Sequence, residues 1–396
     1  MKSSLLLLLN LAVFDPLSAQ SELTNDSEFN ESNSSYTLTE EEAIAYIDAL
    51  SEDSSYFEYG MKGSWIQSIE ISPIFGHISN PLYSSYNPRE TNVRGHRLEG
   101  FLTNIPEPQE DKWLIFYELE KLNYVEQLED VEDQKHGSLF ISRADAINQN
   151  WAEATEIFYY YSESALDLAL EDQLEIESRN SEIILGYIAQ KFEYALSPRK
   201  SIEGQLGIKN IQLLNTSGDF NEYSLELKYL MKSEDRQLEI NLFNHQKDYL
   251  FENKRAINGI GFSAKASFDF NEWLRNSTSI KLCEWHGNSD GYDNKTAYNI
   301  TNRTHLALKD WDLILNLFYS KKDYSERYLL NNDLDDNAFD EPYHFDTYGI
   351  NLTAEKTLND SFDFIIQYEY EENRSQSNDE DYDIEKLLLS LRYTFL

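Results

Sequence analysis

The sequence predicts an all-β fold, a transmembrane antiparallel up-and-down β-barrel of about 16 strands. Three observations indicate this class. After residue 60, apolar and polar residues alternate with a period of two through most of the chain. Many apolar faces run for four or five positions, which matches the ~9–11 residues of a tilted membrane strand better than the ~5–6 of a soluble one. Aromatic residues often stand at the ends of these faces, where membrane barrels carry interfacial girdles.

Composition narrows the classes of partner. The 396 residues include 71 Asp+Glu and 33 Lys+Arg, which gives a formal net charge of −38. No basic stripe is present to neutralise phosphates, so neither nucleic acid nor an anionic lipid surface is an expected partner. The single cysteine, Cys283, can form neither an internal disulfide nor a Cys-rich zinc site. The mean hydropathy of −0.59 fits a barrel, because half of each strand is polar.

The first residues predict an exported protein. Lys2 precedes the apolar run Leu5–Leu9, and small residues lead to Ala19, as in a cleaved signal peptide over residues 1–19. An uncleaved anchor helix is the alternative, but the run is short and Asp15 with Pro16 interrupts it. Residues 20–60 form an acidic leader with eleven Asp/Glu and no Lys or Arg. The barrel domain is predicted over residues 61–396.

A short periplasmic helix is predicted inside the leader, at about residues 40–50. Thr39 and Glu42 have the spacing of a capping box, and apolar residues follow at helical spacing. This helix would either tether and pack the leader or close one end of the barrel.

Alternation places the strands along the rest of the chain. In order, the predicted strands are 64–75, 97–103, 112–122, 156–164, 166–176, 183–196, 201–213, 222–231, 237–248, 259–270, 276–285, 297–308, 311–321, 346–357, 361–372 and 385–396. Residues 124–155 are predicted to be a large loop with a helical turn at 143–154, or to contain another strand. Twelve or fourteen strands remain compatible with the pattern. Phase slips near Gln190 and Asn210 predict β-bulges.

The connections alternate in length. Lys309-Asp310 and Asn359-Asp360 are tight, whereas 323–344 and 373–383 are long. This asymmetry predicts one rim of long loops and one rim of tight turns, as in bacterial outer-membrane barrels. An even number of strands would place both ends of the barrel on the tight-turn, periplasmic side.

The last strand, Leu387–Leu396, resembles the C-terminal assembly signal of Gram-negative outer-membrane β-barrels. Leu391, Tyr393 and Phe395 continue its apolar face to a near-terminal aromatic residue, although Leu396 then departs from the pattern. The preceding hairpin, 368–383, is similar to the last hairpin of porin-like or exopolysaccharide-associated outer-membrane barrels. The resemblance implies insertion into outer-membrane lipid by the barrel-assembly machinery and passage of a solute or polymer. It implies no catalytic residue and no cofactor, and it leaves a homo-oligomer open.

If the apolar faces meet lipid, the polar faces line the lumen. The candidate lining residues are Glu226, Lys228, Glu239, Lys265, Lys281, Arg303, His305, Asp312, Glu369 and Arg392. Both signs are present, so the set could line a pore and create a transverse field. It could equally fill a closed lumen with ion pairs. About 16 strands usually enclose a water channel, which favours the passive, porin-like pore.

Other chemistry has weak support in the sequence. Asp333, Asp335 and Asn337 begin like a calcium loop, but Ala338 replaces the turn glycine and no glutamate closes the pattern. No nucleophile or phosphate-binding motif occurs. Two alternatives stay open. One is an outer-membrane hydrolase using a pair such as Ser279 and His305, and the other is a secreted soluble β-rich binding protein.

Overall fold

The computed structural model describes residues 65–80, 90–104, 111–125, 133–148, 150–167, 178–214, 219–233, 235–250, 255–288, 294–325, 344–359, 361–375 and 381–395. The predicted signal peptide, leader and periplasmic helix lie outside the described residues, as do Asp333, Asp335 and Asn337. Among the residues that are described, no helix is long and apolar enough to cross a membrane.

The described chain forms sixteen β-strands. They are β1 Trp65–Ile78, β2 Thr91–Asn104, β3 Lys112–Tyr124, β4 Gln134–Ala146, β5 Trp151–Asp167, β6 Ser178–Ser197, β7 Lys200–Leu214, β8 Phe220–Lys232, β9 Arg236–Tyr249, β10 Ala256–Asn271, β11 Leu274–Gly287, β12 Lys295–Leu308, β13 Trp311–Tyr324, β14 His344–Asn359, β15 Phe362–Ser375 and β16 Tyr382–Phe395. The shortest has 13 residues and the longest 20, so each exceeds the span of a tilted membrane strand.

The strands form one closed, antiparallel, up-and-down barrel. Each strand pairs with its neighbours in sequence, and β1 pairs with β16 to close the ring. This confirms the predicted all-β barrel and its sixteen strands. Closure removes every sheet edge, which is the condition for a β-structure to cross a bilayer.

Of the two alternatives for residues 124–155, another strand is confirmed and the helical turn is wrong. Residues 134–146 form β4, and β5 begins at Trp151, so no helical turn occupies the described part of 143–154. Leu166 and Asp167, where a separate strand was predicted to begin, belong to β5, and the rest of the range 166–176 lies outside the described residues. β4 lacks an alternating pattern, because polar residues occupy both ends and Leu139, Phe140 and Ile141 form an unbroken apolar run.

The predicted bulges at Gln190 and Asn210 are not present, because both residues pair in regular register. Register instead shifts between Ala195 and Ser197, between Asp269 and Asn271, and between Thr357 and Asn359. Each shift lies beside a tight turn. The turn between β12 and β13 contains Lys309 with φ of 51°, a left-handed conformation typical of a tight turn.

The connections define two rims. The turns after β2, β4, β6, β8, β10, β12 and β14 form the short-turn rim, where β1 begins and β16 ends. The connections after the odd-numbered strands form the long-loop rim, and the longest spans residues 325–343. The predicted asymmetry between rims is therefore present in the barrel.

The outward face is an apolar belt. Its exposed members come from all around the ring: Phe75, Leu119, Ile157, Ile188, Leu206, Leu225, Leu242, Ile260, Ile280, Ile300, Leu317, Ile350 and Leu389. Ile260, Phe75 and Leu242 are 63%, 61% and 57% exposed, which is costly in water and favourable in lipid. Aromatic residues border the belt on both sides. At the short-turn rim these are Trp65, Trp113, Trp151, Trp311, Phe362, Tyr393 and Phe395, and at the long-loop rim they are Tyr161, Tyr298, Tyr319, Tyr348 and Tyr370.

Within the belt, β11 and β12 carry a polar patch whose side chains form hydrogen bonds with one another. Asn276 donates to Thr304 Oγ1 (2.8 Å) and Asn302 donates to Thr278 Oγ1 (2.8 Å). Because polar groups facing hydrocarbon must be hydrogen-bonded within the protein, this pairing makes the patch compatible with lipid.

Candidate functional site: the barrel lumen

All ten candidate lining residues lie on the inward face. Residues that pair directly across two strands have side chains on the same face of the sheet. The strand pairing places the ten residues on the same face as buried polar residues such as Ser201, Asn316 and Thr353. The charged residues missed by the sequence analysis lie on the same face: Glu70, Glu99, Arg97, Glu118, Glu120, His136, Glu156, Lys191, Glu355 and Asp363.

Arg392 on β16 organises a buried group that we call the seam cluster, comprising Arg392, Glu70, Glu355 and Asp363. Its Nε lies 3.3 Å from Glu70 Oε2 on β1, and its Nη2 lies 3.0 Å from Asp363 Oδ2 on β15. The same Nη2 donates to Glu355 Oε1 on β14. The side chain of Arg392 is 0% exposed. One guanidinium thus joins four consecutive strands across the β1–β16 closure.

A second buried group, the Arg97 cluster, continues the charged wall over β2–β4. Arg97 Nη2 donates to Glu120 Oε2 (2.7 Å), and Arg97 Nε lies 3.3 Å from Glu118 Oε1. His136 Nε2 lies 3.4 Å from the same Glu118 oxygen. Glu99 pairs in register with Glu70 on one side and Glu118 on the other, so it connects the two clusters. The wall from β14 to β4 is therefore rich in carboxylates and closed to solvent.

The wall from β5 to β9 is also ion-paired. Lys191 Nζ lies 3.0 Å from Glu156 Oε1, and Lys228 Nζ lies 3.4 Å from Glu203 and 3.7 Å from Glu239. Glu226 accepts a hydrogen bond from Asn241 Nδ2 (2.8 Å). On β15, Glu369 lies 3.9 Å from Lys386 Nζ. These pairs fix side chains against the wall.

The inward face of β10–β12 differs from these walls. Ser263, Ser277, Ser279, Asn299 and Thr301 are short, polar and only partly buried. Between them stand Lys265, Lys281 and Arg303, also partly exposed, which we call the basic strip. Among the described inward positions of β10–β12, the single acidic residue is Asp269. It forms an ion pair with Arg275 at the short-turn rim. In a ring of sixteen strands β11 lies opposite β3, so the basic strip faces the Arg97 cluster across the lumen.

The described long-loop half of the lumen contains apolar clusters, of which the smallest is Tyr324 with Phe345 on β13 and β14. One, on β16 and β1–β3, includes Ile74, Leu122 and Ile384. Another, on β6–β11, includes Phe220, Trp285 and the buried Cys283. Lys247 Nζ lies 4.9 Å from the Phe220 ring centroid and 4.8 Å from that of Trp285. Such side chains narrow the lumen at this level.

The Ser279 and His305 pair has no catalytic geometry. Ser279 Oγ bonds Thr301 Oγ1 (2.5 Å), while His305 Nε2 lies 3.3 Å from Asp312 Oδ1. Ser279 pairs with Thr301 and Arg275 pairs with His305, so the two residues stand four positions apart along neighbouring strands. That spacing corresponds to roughly 13 Å. No group of three His, Cys, Asp or Glu in the described part of the chain could hold a metal ion.

A closed, even-stranded, up-and-down barrel with an apolar outer belt, two aromatic girdles and a polar interior defines a class. The chain is an integral, porin-like β-barrel of the outer-membrane type. No family model and no curated protein matches its sequence.

Solved structures share the barrel architecture. The outer membrane protein OpdK from Pseudomonas aeruginosa is similar with a TM-score of 0.47 and 10% identity, over 83% of this chain and 99% of that chain. A BenF-like porin from Pseudomonas fluorescens Pf-5 has a TM-score of 0.46 and 10% identity, over 85% and 100% of the two chains. OccK2 (OpdF) from Pseudomonas aeruginosa, in complex with glucuronate, has a TM-score of 0.45 and 10% identity, over 85% and 100%. At these values the similarity concerns the barrel architecture alone.

Proposed function

We propose that the protein is a passive channel of the outer membrane, in which solutes pass along the β10–β12 side of the lumen. One observation carries the proposal. From the middle of the barrel to the short-turn rim, inward side chains of β10–β12 such as Ser263, Lys281 and Arg303 stay partly exposed inside a closed barrel, whereas those of β14–β16 and β1–β4 are largely buried. Partly exposed Ser, Thr, Asn and Lys side chains line a wet path, and no enzymatic step is needed.

We further propose the orientation usual for such barrels, with the long-loop rim outside the cell and both barrel ends periplasmic. The position of β1 and β16 ends at the short-turn rim supports this orientation. Insertion by the barrel-assembly machinery into outer-membrane lipid belongs to the same proposal.

Purified protein added to planar bilayers should produce stepwise increases in ion current. The physical reason is the partly exposed polar surface that β10–β12 present from the middle of the barrel to the short-turn rim. Single-channel recording at 1 M KCl measures the step, and protein boiled in detergent before addition is the control. Sealed bilayers over many verified insertions would contradict the channel and favour a closed lumen filled by ion pairs.

Charge reversal in the basic strip should change ion selectivity. In Lys281→Glu with Arg303→Glu, the ratio of anion to cation permeability should fall roughly threefold or more, because fixed charge beside a narrow path sets the local ion concentration. Reversal potentials under a KCl gradient measure this ratio.

Lys321→Glu provides the matched control, because this substitution also reverses a lysine charge, but on the outward face of β13. Its permeability ratio should equal that of the unmodified protein. An unchanged ratio in the double variant, with conductance retained, would show that ions do not pass along the basic strip.

A further inference from the structure

The outward face of β2–β4 carries a group of basic side chains at the long-loop edge of the apolar belt. We call it the basic row, comprising Arg94, His96, Lys121 and Lys135. Arg94 and His96 are exposed, and the side chains of Lys121 and Lys135 are 39% and 41% exposed. In a protein of net charge −38, such a group requires an explanation.

The register places these basic side chains directly beside one another. His96 pairs with Lys121, and Lys121 pairs with Lys135. Like charges directly opposite each other on one face destabilise a sheet. Each lysine has one carboxylate at its side: Lys121 Nζ lies 3.2 Å from Asp133 Oδ2, and Lys135 Nζ lies 2.8 Å from Glu163 Oε2. An anion lying between the strands would relieve the remaining repulsion.

The depth of the row corresponds to a lipid headgroup. His96 stands two positions from the outward Leu98, and Lys121 stands two positions from the exposed Leu119. Lys135 lies beyond Gly137 and the exposed Leu139 on β4. The row therefore begins where the apolar belt ends, which is the level of headgroups in a bilayer.

The same edge has the opposite charge on the nearby strands β14–β16, beyond β1. On β14–β16 the outward positions hold Asp346, Glu372 and Glu385, which accept hydrogen bonds from tyrosine hydroxyls or arginine. These carboxylates would repel an anionic headgroup. The basic row is thus a local site and not a general property of the rim.

We propose that the basic row binds the phosphate groups of a phosphorylated glycolipid in the outer leaflet. The inference rests on the proposed orientation, which places the long-loop rim in that leaflet. A phosphate offers several acceptor oxygens and a charge near two, so it can bridge neighbouring ammonium and guanidinium groups. Acyl chains of the same lipid would lie on Leu98, Leu119 and Leu139 below.

The test uses native mass spectrometry of the full barrel in a neutral detergent, titrated with bisphosphorylated lipid A. The intact protein should retain one lipid, and Lys121→Gln with Lys135→Gln should weaken binding by about 25-fold, or about fivefold per charge removed. Lys321→Gln on β13 is the matched control, because it removes a lysine at the same edge and should bind as tightly as the unmodified protein.

Dephosphorylated lipid A and phosphatidylglycerol are the competing probes. Weaker binding of both supports the proposal, whereas equal binding of either overturns it. Unchanged affinity in the double variant also overturns it. Bilayer conductance of the same samples shows whether the channel proposal has failed as well. Because the basic row faces away from the lumen, its loss should leave the current unchanged.

Discussion

Replacing Arg392 with glutamine is expected to lower the free energy of unfolding by about 3–5 kcal/mol. The guanidinium contacts Glu70, Glu355 and Asp363, and all four side chains are buried. Glutamine keeps one donor group but removes the charge, so three carboxylates would remain close together without a cation. Breaking one partner of a buried ion pair is costly because the remaining charge has lost its water and its partner.

The effect should also be visible in barrel closure, because Arg392 lies beside the β1–β16 seam. On β1, Ile69–Ile71 and Ile74–Ile78 pair with β16. Pro73, which lies between these two segments, lacks a backbone N–H donor. The contact between Arg392 and Glu70 spans this gap. Weakening it should expose the seam before the rest of the sheet.

Urea unfolding of the refolded barrel, followed by tryptophan fluorescence, measures the loss. Arg143→Gln is the control, because its pair with Asp111 (2.6 Å) lies partly exposed at the short-turn rim and should contribute little to stability. Adding Glu355→Gln to Arg392→Gln should recover part of the stability, since one of the crowded carboxylates disappears. Equal losses in the Arg392 and Arg143 variants would show that the seam cluster does not stabilise the barrel.

Strands with a uniform face were predictable from the sequence. On β16, Leu387, Leu389 and Leu391 point outward and Ser390 and Arg392 inward, so the period of two is clear from Leu389 onward, with Leu388 as an inward apolar exception. The strands β2–β4 lack this contrast. Phe116 and Phe140 point into the lumen and are buried, so apolar residues occur on both faces and the alternation is blurred. The Arg97 cluster lies in these strands, which is why it was missed.

The inward positions of the charged residues follow from alternation, but their partners do not. Arg392 meets Glu70 because the ring closes the last strand against the first, a contact between opposite ends of the chain. Which residues align across each pair depends on register, and one residue of slip would turn each side chain to the other face. A signal was present in Glu118 and Glu120, which alternate with Leu119 and Lys121.

The second large effect is expected at the end of β16, where Tyr393→Asp with Phe395→Asp should abolish assembled barrel. Both side chains point outward at the short-turn rim, and their rings lie 4.5 Å apart. Tyr393 also packs against Phe362 at 4.8 Å. The two residues pair with Ile71 and Ile69 of β1, so they stand at the closure itself. Membrane fractionation with a heat-modifiability gel measures assembly.

The cost of placing charge in the belt does not alone explain such a loss, because charged substitutions near an interface cost only about 0–1 kcal/mol each. Phe268→Asp with Phe270→Asp tests the difference. These rings also point outward near the short-turn rim, 6.1 Å apart, but they lie on β10. If the β10 variant assembles and the β16 variant does not, the terminal aromatic residues act during assembly as the recognised signal. If both fail equally, lipid exposure explains the result and the last strand has no special role.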